Sequence, residues 1–381
     1  MRVAINLLTD HPDVPSGAHW FWSKTITEMG KRLESDERLY ALVSPRSRHL
    51  HQDYGPGVSH ITYPWSNEQR VGRTLSEHLY SPVRLPLSGI DVFNTLMAPV
   101  FNYPWSLVVH MKTMHAYTAP ESVKPLPRAY RRLSYPHTAR VAKAIIINSN
   151  SLRAEIKQYL DVDDSKLRLI PEAVDHELFK PGDAGESRKV VAAHGVTKPF
   201  VLFVSSLWPY KNCHGLLRAW AHARQELGDR QLVLVGPLRD EKYVGEVRAL
   251  VAELGIGSDV VFVGAVPNDE TVHFYRAADV LVYPSFNETF GLPLLEAMAA
   301  GCPVVTSDVT AMPETAGGAA VLVSPGEPAS IAKGILEAID GRERLIGLGT
   351  QRAAQFTWGA TGSATLDLYR EVAEQRKHGR K

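Results

Sequence analysis

Through most of the chain, short runs of β-branched and apolar residues alternate with longer stretches whose apolar positions recur at three- and four-residue spacing. The runs RVAINLL (2–8), YALVS (40–44), DVFNT (91–95), SLVVHM (106–111), AIIIN (144–148) and LRLIP (167–171) read as buried strands. A second set follows, with FVLFVS (200–205), QLVLVG (231–236), VVFVG (260–264), DVLVYPS (279–285), PVVTS (303–307) and AAVLVS (319–324). Amphipathic stretches such as SLRAEIKQYL and LLRAWAHARQEL lie between them. Strand and helix in alternation imply parallel sheets with crossover helices. The two sets are separated by DHELFKPGDAGESRK (175–189), rich in Gly, Pro and charge, which reads as a linker. The pattern predicts two doubly wound α/β domains, 1–180 and 190–357, facing each other across a cleft. Strand C-termini feed the ligand site in such sheets.

Composition adds mainly exclusions. At 381 residues the chain is long for one core. A net charge of +1 gives no global field to attract nucleic acid. The two cysteines, Cys213 and Cys302, are too few for a disulfide framework and lack metal-ligand spacing. The opening MRVAINLL begins a strand at once, without the pattern of a signal peptide, and no apolar run approaches the ~18 residues of a membrane span. A soluble, cytoplasmic protein is expected.

The chemistry concentrates in NETFGLPLLEAMAAGCPVV (287–305). Val280–Tyr283 predicts a strand, Pro284 to Leu292 its exit loop, and Pro293 to Ala300 a helix stopped by Gly301. Amides near Phe290 and Gly291 would then stand at a helix N-terminus, where free N–H groups and the dipole favour an anion. Gly291 lets that anion approach the backbone. Glu288 on the loop and Glu296 one turn into the helix cannot bind phosphate but can accept hydrogen bonds from hydroxyls. A ligand with central phosphates and hydroxyl-bearing sugars at both ends is a nucleotide sugar. Taken singly, an acid before a helix also serves as a dipole partner.

The segment FNETFGLPLLEAMAAGCPVVTS resembles the Glu-x7-Glu motif of retaining glycosyltransferases of the GT-B fold, the large group 1 family of mannosyltransferase-like and sucrose-synthase-like enzymes. IPEAVDHELFKP, SLWPYKN, FVGAVPNDETVHFYRAADVLVYPS and FTW extend the resemblance over nearly the whole chain. It implies a GT-B architecture of two Rossmann-like domains, with a C-terminal helix (358–375) crossing back to the first. It implies that Glu288 binds hydroxyls of the donor sugar and that Glu296 binds the ribose. The amides of Phe290, Gly291 and Leu292 would hold the diphosphate, and Lys211 would neutralise leaving-group charge. Ser206, Gly236 and Val263 are expected to border the donor. The family commonly writes V-G-R-L-x-x-x-K where this chain has VSSLWPYK, so Ser205 and Ser206 replace a Gly and an Arg. Lys211 then acts alone with the helix amides, or a basic residue elsewhere takes the arginine's place.

In the first domain, Gly17 opens a helix and can bring backbone close to phosphate or acceptor. Trp20, Phe21 and Trp22 are most simply helix core, although an aromatic at the cleft could stack on a sugar. Relatives place a histidine after the strand 106–111. His110, Lys112 and His115 all stand there, and His115 is the one expected to enter the cleft. From Ser122 to Ala154 there is no acid but there are seven bases: Lys124, Arg128, Arg131, Arg132, Arg140, Lys143 and Arg153. Such a stretch is either a solvated helix face or a surface for anionic lipid or a phosphorylated acceptor. DVDD (161–164) reads as a turn and cap rather than a metal motif, and no essential metal or cofactor is expected. The expected reaction is hexose transfer to a glycan, lipid-linked or small-molecule acceptor. The alternatives are a non-catalytic nucleotide-sugar-binding partner protein, or an epimerase or phosphorylase of similar fold. A dehydrogenase is disfavoured, since no G-x-G-x-x-G follows either opening strand.

Overall fold

A computed structural model of the chain describes residues 1–10, 17–51, 54–65, 70–96 and 106–378. It comprises two compact units, Met1–Glu172 with Trp358–Lys381, and Ala173–Thr357. The first holds strands β1 (Arg2–Asn6), β2 (Arg38–Val43), β3 (Val58–Thr62), β4 (Val92–Leu96), β5 (Ser106–His110), β6 (Ala144–Ile147) and β7 (Leu167–Leu169). The second holds β8 (Phe200–Val204), β9 (Gln231–Val235), β10 (Val260–Gly264), β11 (Val280–Tyr283), β12 (Val304–Ser307) and β13 (Val321–Val323).

Both sheets are parallel and both are doubly wound. The first runs β3-β2-β1-β4-β5-β6-β7 and the second β10-β9-β8-β11-β12-β13. Strand order reverses between β1 and β4 in one and between β8 and β11 in the other, and these are the crevices where open α/β sheets take their ligands. Helices cover both faces, which is why the strands are continuously apolar rather than alternating. Within β8, Phe200 and Leu202 join one buried cluster while Val201 and Phe203 join the opposite one. The same division places Val3 and Ile5 of β1 on one face and Ala4 on the other.

The last helix, Trp358–His378, packs on Gly17–Gly30 of the first unit. Leu366, Tyr369 and Val372 bury there with Trp22, Ile26 and Met29, and Arg370 pairs with Glu37 at 2.8 Å. Of the aromatic triplet, Phe21 and Trp22 are buried and Trp20 is exposed.

Two expectations need correction. β3 gave no clear apolar run, because only Ile61 of its five residues is buried. Part of the stretch read as a linker is helical: Asp183 caps the helix Ala184–Ala192 by accepting from the Glu186 N–H at 2.6 Å. Composition alone hid that helix, since its first turn is made of Ala, Gly, Glu and Ser.

Candidate active site

The switch point of the second sheet gathers most of the residues singled out above. Lys211 closes a single turn, Pro209–Lys211, on the chain leaving β8, and Glu288 lies on the loop leaving β11. These are the two central strands, so the loops meet by topology. They are also tied together. Phe286 N–H donates to Tyr210 C=O at 2.8 Å, and the buried Asn212 amide donates to Pro284 C=O at 3.0 Å and Pro325 C=O at 2.7 Å. Asn212 sits in the left-handed region, φ 60°, and its carbonyl oxygen accepts from Gly215 N–H to cap the next helix. Asparagine tolerates that backbone better than most residues and caps at the same time.

Lys211 Nζ forms an ion pair with Glu288 Oε1 and donates to Tyr283 Oη at 2.7 Å. The Tyr283 hydroxyl in turn donates to Glu288 Oε1 at 2.8 Å. Burial first, and then the Glu288 charge, push the Tyr283 phenol well above its ordinary value, so it stays a donor. The Lys211 and Glu288 side chains are each 12% exposed, which leaves one edge of the pair open to a ligand. The Glu288 backbone is held by Thr310 Oγ1, which accepts from its N–H at 3.2 Å, and Phe290 C=O accepts from the Thr315 hydroxyl.

Gly291 starts the helix Leu292–Ala299 from φ 86°, and a Cβ there would lie 2.5 Å from Met312 Cε. Only glycine fits both conditions. Within the first turn Pro293 carries no N–H and Leu294 N–H donates to Gly291 C=O at 3.0 Å, so the amides that face an anion at this helix start are those of Phe290, Gly291 and Leu292. Leu292 and Pro293 occupy the first two helical positions, one residue earlier than the sequence implied, while Phe290 is buried against Phe356. At the ends of the neighbouring strands, Ser205 N–H donates to Val235 C=O and Gly236 N–H to Gly264 C=O. A Cβ on Gly236, φ 139°, would fall 2.1 Å from Ser205 C=O, so the loops carrying Ser206 and Gly236 close on one another at that glycine, while Val263 lies within β10.

Glu296 is half-buried and accepts from the Tyr275 hydroxyl at 2.9 Å. Burial pushes its carboxyl from 4.5 up to about 7, against the opposing effect of the Tyr275 bond. The folded chain therefore holds a proton there that the unfolded chain has lost between pH 4.5 and 7. Stability from this group is full below pH 4.5 and is lost as pH rises through about 7, by at most about 3 kcal/mol. Glu296→Gln should therefore gain in Tm relative to the parent chain between pH 5 and 8. A Tm difference that stays flat over that range would rule out the raised carboxyl.

The remaining predicted residues belong to the first unit. Gly17 begins its helix with open space where a Cβ would stand. His115 is half-buried at the start of His115–Thr118, its N–H donating to Thr113 Oγ1 at 3.0 Å. Lys112 pairs with Glu172 at 3.1 Å and lies over the Phe21 ring. His110 is buried against Trp22 and Phe21, and burial keeps its imidazole well below the ordinary value, hence neutral. Asp163 caps the turn Asp164–Lys166, and Asp164 pairs with Arg153 and Lys157. Ser16, beside Gly17, lies outside the described residues.

Sequence reasoning missed Tyr283, Tyr275, Asn212 and Thr310. The two tyrosines read as strand and helix core, and only burial next to a carboxylate reveals their hydroxyls as partners.

Two doubly wound parallel sheets, with an acid–lysine pair beside a helix N-terminus at one switch point, define a GT-B fold. The model of glycosyl transferases group 1 matches residues 186–351, and that of glycosyltransferase family 4 matches 23–178. The chain belongs to the group 1 glycosyltransferases of that fold. A D-inositol 3-phosphate glycosyltransferase of Acidothermus cellulolyticus is 32% identical over 236 residues, 58% of this chain and 52% of that protein. O-antigen chain mannosyltransferase B of Escherichia coli is 29% identical over 281 residues, 71% of this chain and 73% of that one. The chain thus spans about half the length of the first of these relatives. Sucrose-phosphate synthase from Thermosynechococcus elongatus matches with a TM-score of 0.76 at 20% identity, over 98% of this chain and 99% of that one. Anabaena HepE in complex with UDP and glucose matches with a TM-score of 0.74 at 21% identity, over 97% and 100%.

Proposed function

We propose that the protein transfers a hexose from a nucleotide diphosphate sugar to a hydroxyl of a glycan, lipid-linked or small-molecule acceptor, with retention of anomeric configuration. The observation that carries this reading is the Lys211–Tyr283–Glu288 network beside the amides that open Leu292–Ala299. The amides of Phe290, Gly291 and Leu292 take the diphosphate, and Lys211 moves from Glu288 toward the oxygen that becomes the leaving group. Glu288, freed in part, accepts from hydroxyls of the sugar, and Glu296 accepts from the ribose. The bond from the anomeric carbon to the phosphate oxygen breaks, the acceptor oxygen forms its bond on the same face, and the acceptor proton passes to the leaving diphosphate. Retention by two inversions needs a carboxylate nucleophile about 5–5.5 Å from an acid. Glu288 is engaged by Lys211 and Tyr283 instead, which favours attack on one face. Lys211 and the amides supply the electrostatic stabilisation of the leaving charge, so this chemistry asks for no metal.

A thermal-shift panel of UDP, GDP, ADP and dTDP with their common sugars, with and without EDTA, tests this donor site. A shift selective for one nucleotide and unchanged by EDTA is expected. No shift with any of them would remove the donor-site reading, and tight binding without turnover would favour a non-catalytic binder.

We assign the acceptor a location at an anionic membrane surface. No described helix is long and apolar enough to cross a membrane. The helical run Arg70–Leu75, Ser76–Tyr80 and Ser81–Leu87, however, exposes Val71, Leu75, Leu79, Val83 and Leu87 at four-residue spacing. The helix Pro125–Val141 exposes Leu126 and Leu133 among Arg128, Arg131, Arg132 and Arg140. Apolar side chains for the lipid and bases for its head groups make up an interfacial anchor. Vesicles rich in anionic lipid should sediment the protein at low salt, and Leu75→Asp with Leu79→Asp should abolish it. Equal sedimentation of the double variant would discard the apolar face.

A further inference from the structure

The C-terminal ends of β1 and β2, in the first unit, carry a second group of chemistry-bearing side chains that the donor site does not use. Asp10 is placed by a turn after β1, its N–H donating to Leu7 C=O at 3.1 Å. His19 is the third residue of the helix Gly17–Gly30, and His51 ends the short turn Arg48–His51 that follows β2. Because β1 and β2 are paired in parallel, all three segments emerge on the same edge of the sheet. All three side chains are buried, with relative exposures of 2%, 5% and 0%.

Their atoms converge. Asp10 Oδ2 lies 3.3 Å from His19 Nδ1 and 3.3 Å from His51 Nε2, and the three ligand atoms lie within 4.8 Å of one another. Metal–ligand bonds of ~2.0–2.1 Å in tetrahedral array separate neighbouring ligand atoms by roughly 3.3 Å. The other ring nitrogen of His51, Nδ1, is 2.7 Å from the Tyr54 hydroxyl. Metal-bound imidazoles keep a fixed partner of that kind on their free nitrogen. Finally, Asp10 Oδ1 is buried without a hydrogen-bond partner among the described residues. A carboxylate oxygen left so is costly in a network of imidazoles alone, and a cation at the centre of the group would compensate it.

We propose that Asp10, His19 and His51 form a binding site for a first-row divalent cation of the zinc class. Two imidazoles and one carboxylate are a borderline donor set that suits Zn2+ or Co2+ better than the oxygen-seeking Mg2+ or Ca2+. Three protein ligands leave one tetrahedral position for water or another donor. The site orders the segments that leave β1 and β2, and it is separate from the donor chemistry assigned to Lys211 and Glu288. It does not rest on the glycosyltransferase reading.

The test uses the full chain, free of any metal-binding tag and stripped with a chelator. Titration with Zn2+ should give one ion per chain by calorimetry, and Co2+ should give the visible absorption of a tetrahedral site. His51→Gln should lose stoichiometric binding. Tyr54→Phe should keep the stoichiometry and weaken affinity by roughly tenfold or more. The Tyr54→Phe arm stays informative where Asp10→Asn or His51→Gln fails to fold, as a circular-dichroism melt will show. No bound ion in the parent chain, or one ion retained with unchanged affinity in both His51→Gln and Tyr54→Phe, would overturn the proposal.

Discussion

Replacing Glu288 by glutamine should lower kcat by about 10²–10³-fold while the affinity for the nucleotide diphosphate stays within a few-fold of the parent. Glutamine preserves the shape, but it removes the charge opposite Lys211 and puts an amide where a carboxylate accepts from Tyr283 at 2.8 Å. With the counter-charge gone, Lys211 loses the partner that holds it beside the helix amides. The nucleotide is assigned to other groups, namely Glu296 and the first turn of Leu292–Ala299, so its binding survives. Turnover by hydrolysis of the donor and transfer to acceptor should fall together, and calorimetry with the nucleotide reports the binding arm. Turnover in the variant within twofold of the parent would sink the role given to Glu288.

Lys211→Met should damage both arms: kcat by a similar factor and nucleotide diphosphate affinity by about tenfold, or ~1.4 kcal/mol. The lysine is the one side-chain cation placed on the pair at the switch point, so no neighbour takes over its charge among the contacts described there. The same change strands Glu288, 12% exposed, without its cation. Breaking a buried pair costs ~3–5 kcal/mol, and this pair, open along one edge, should cost somewhat less. The double variant Lys211→Met, Glu288→Gln should melt higher than Lys211→Met alone, since it removes the orphaned charge. If the double variant melts lower than either single one, the pair is not the coupled unit described here.

Much of the second unit was legible before any coordinates. Its strands are runs of Val, Leu and Phe bounded by turn residues, because both faces of a parallel sheet are dry and the sequence must be apolar at every position. Val280–Tyr283, buried at all four positions, carries the bounds read from the sequence for that reason. The junction of Gly291, Leu292 and Pro293 is legible too, since glycine and proline have few places to go. Edge strand β3 was not, because a strand covered on one side needs few apolar residues. The helix at Ala184 was hidden by a polar first turn whose stability comes from the Asp183 cap and from packing.

The partners of the functional groups were the least legible. Tyr283 in a strand and Tyr275 in a helix are ordinary core aromatics in one dimension, and nothing local marks their hydroxyls as donors to Glu288 and Glu296. The raised carboxyl of Glu296 is a consequence of burial, which no spacing rule measures. The Asp10, His19 and His51 group spans forty-one positions and follows no ligand-spacing motif; it exists only because β1 and β2 lie side by side.

The sequence by itself determined the α/β alternation, the Glu-x7-Glu segment with its glycine–proline helix start, and the chain's membership of its family, because these are properties of local pattern and residue type. Tertiary structure decided that Lys211 and Glu288 meet, that a tyrosine bridges them, and that burial pushes the Glu296 carboxyl toward neutrality. Those outcomes depend on strand order and burial, and pairings between residues 72 to 77 positions apart carry no local signature for a sequence to display.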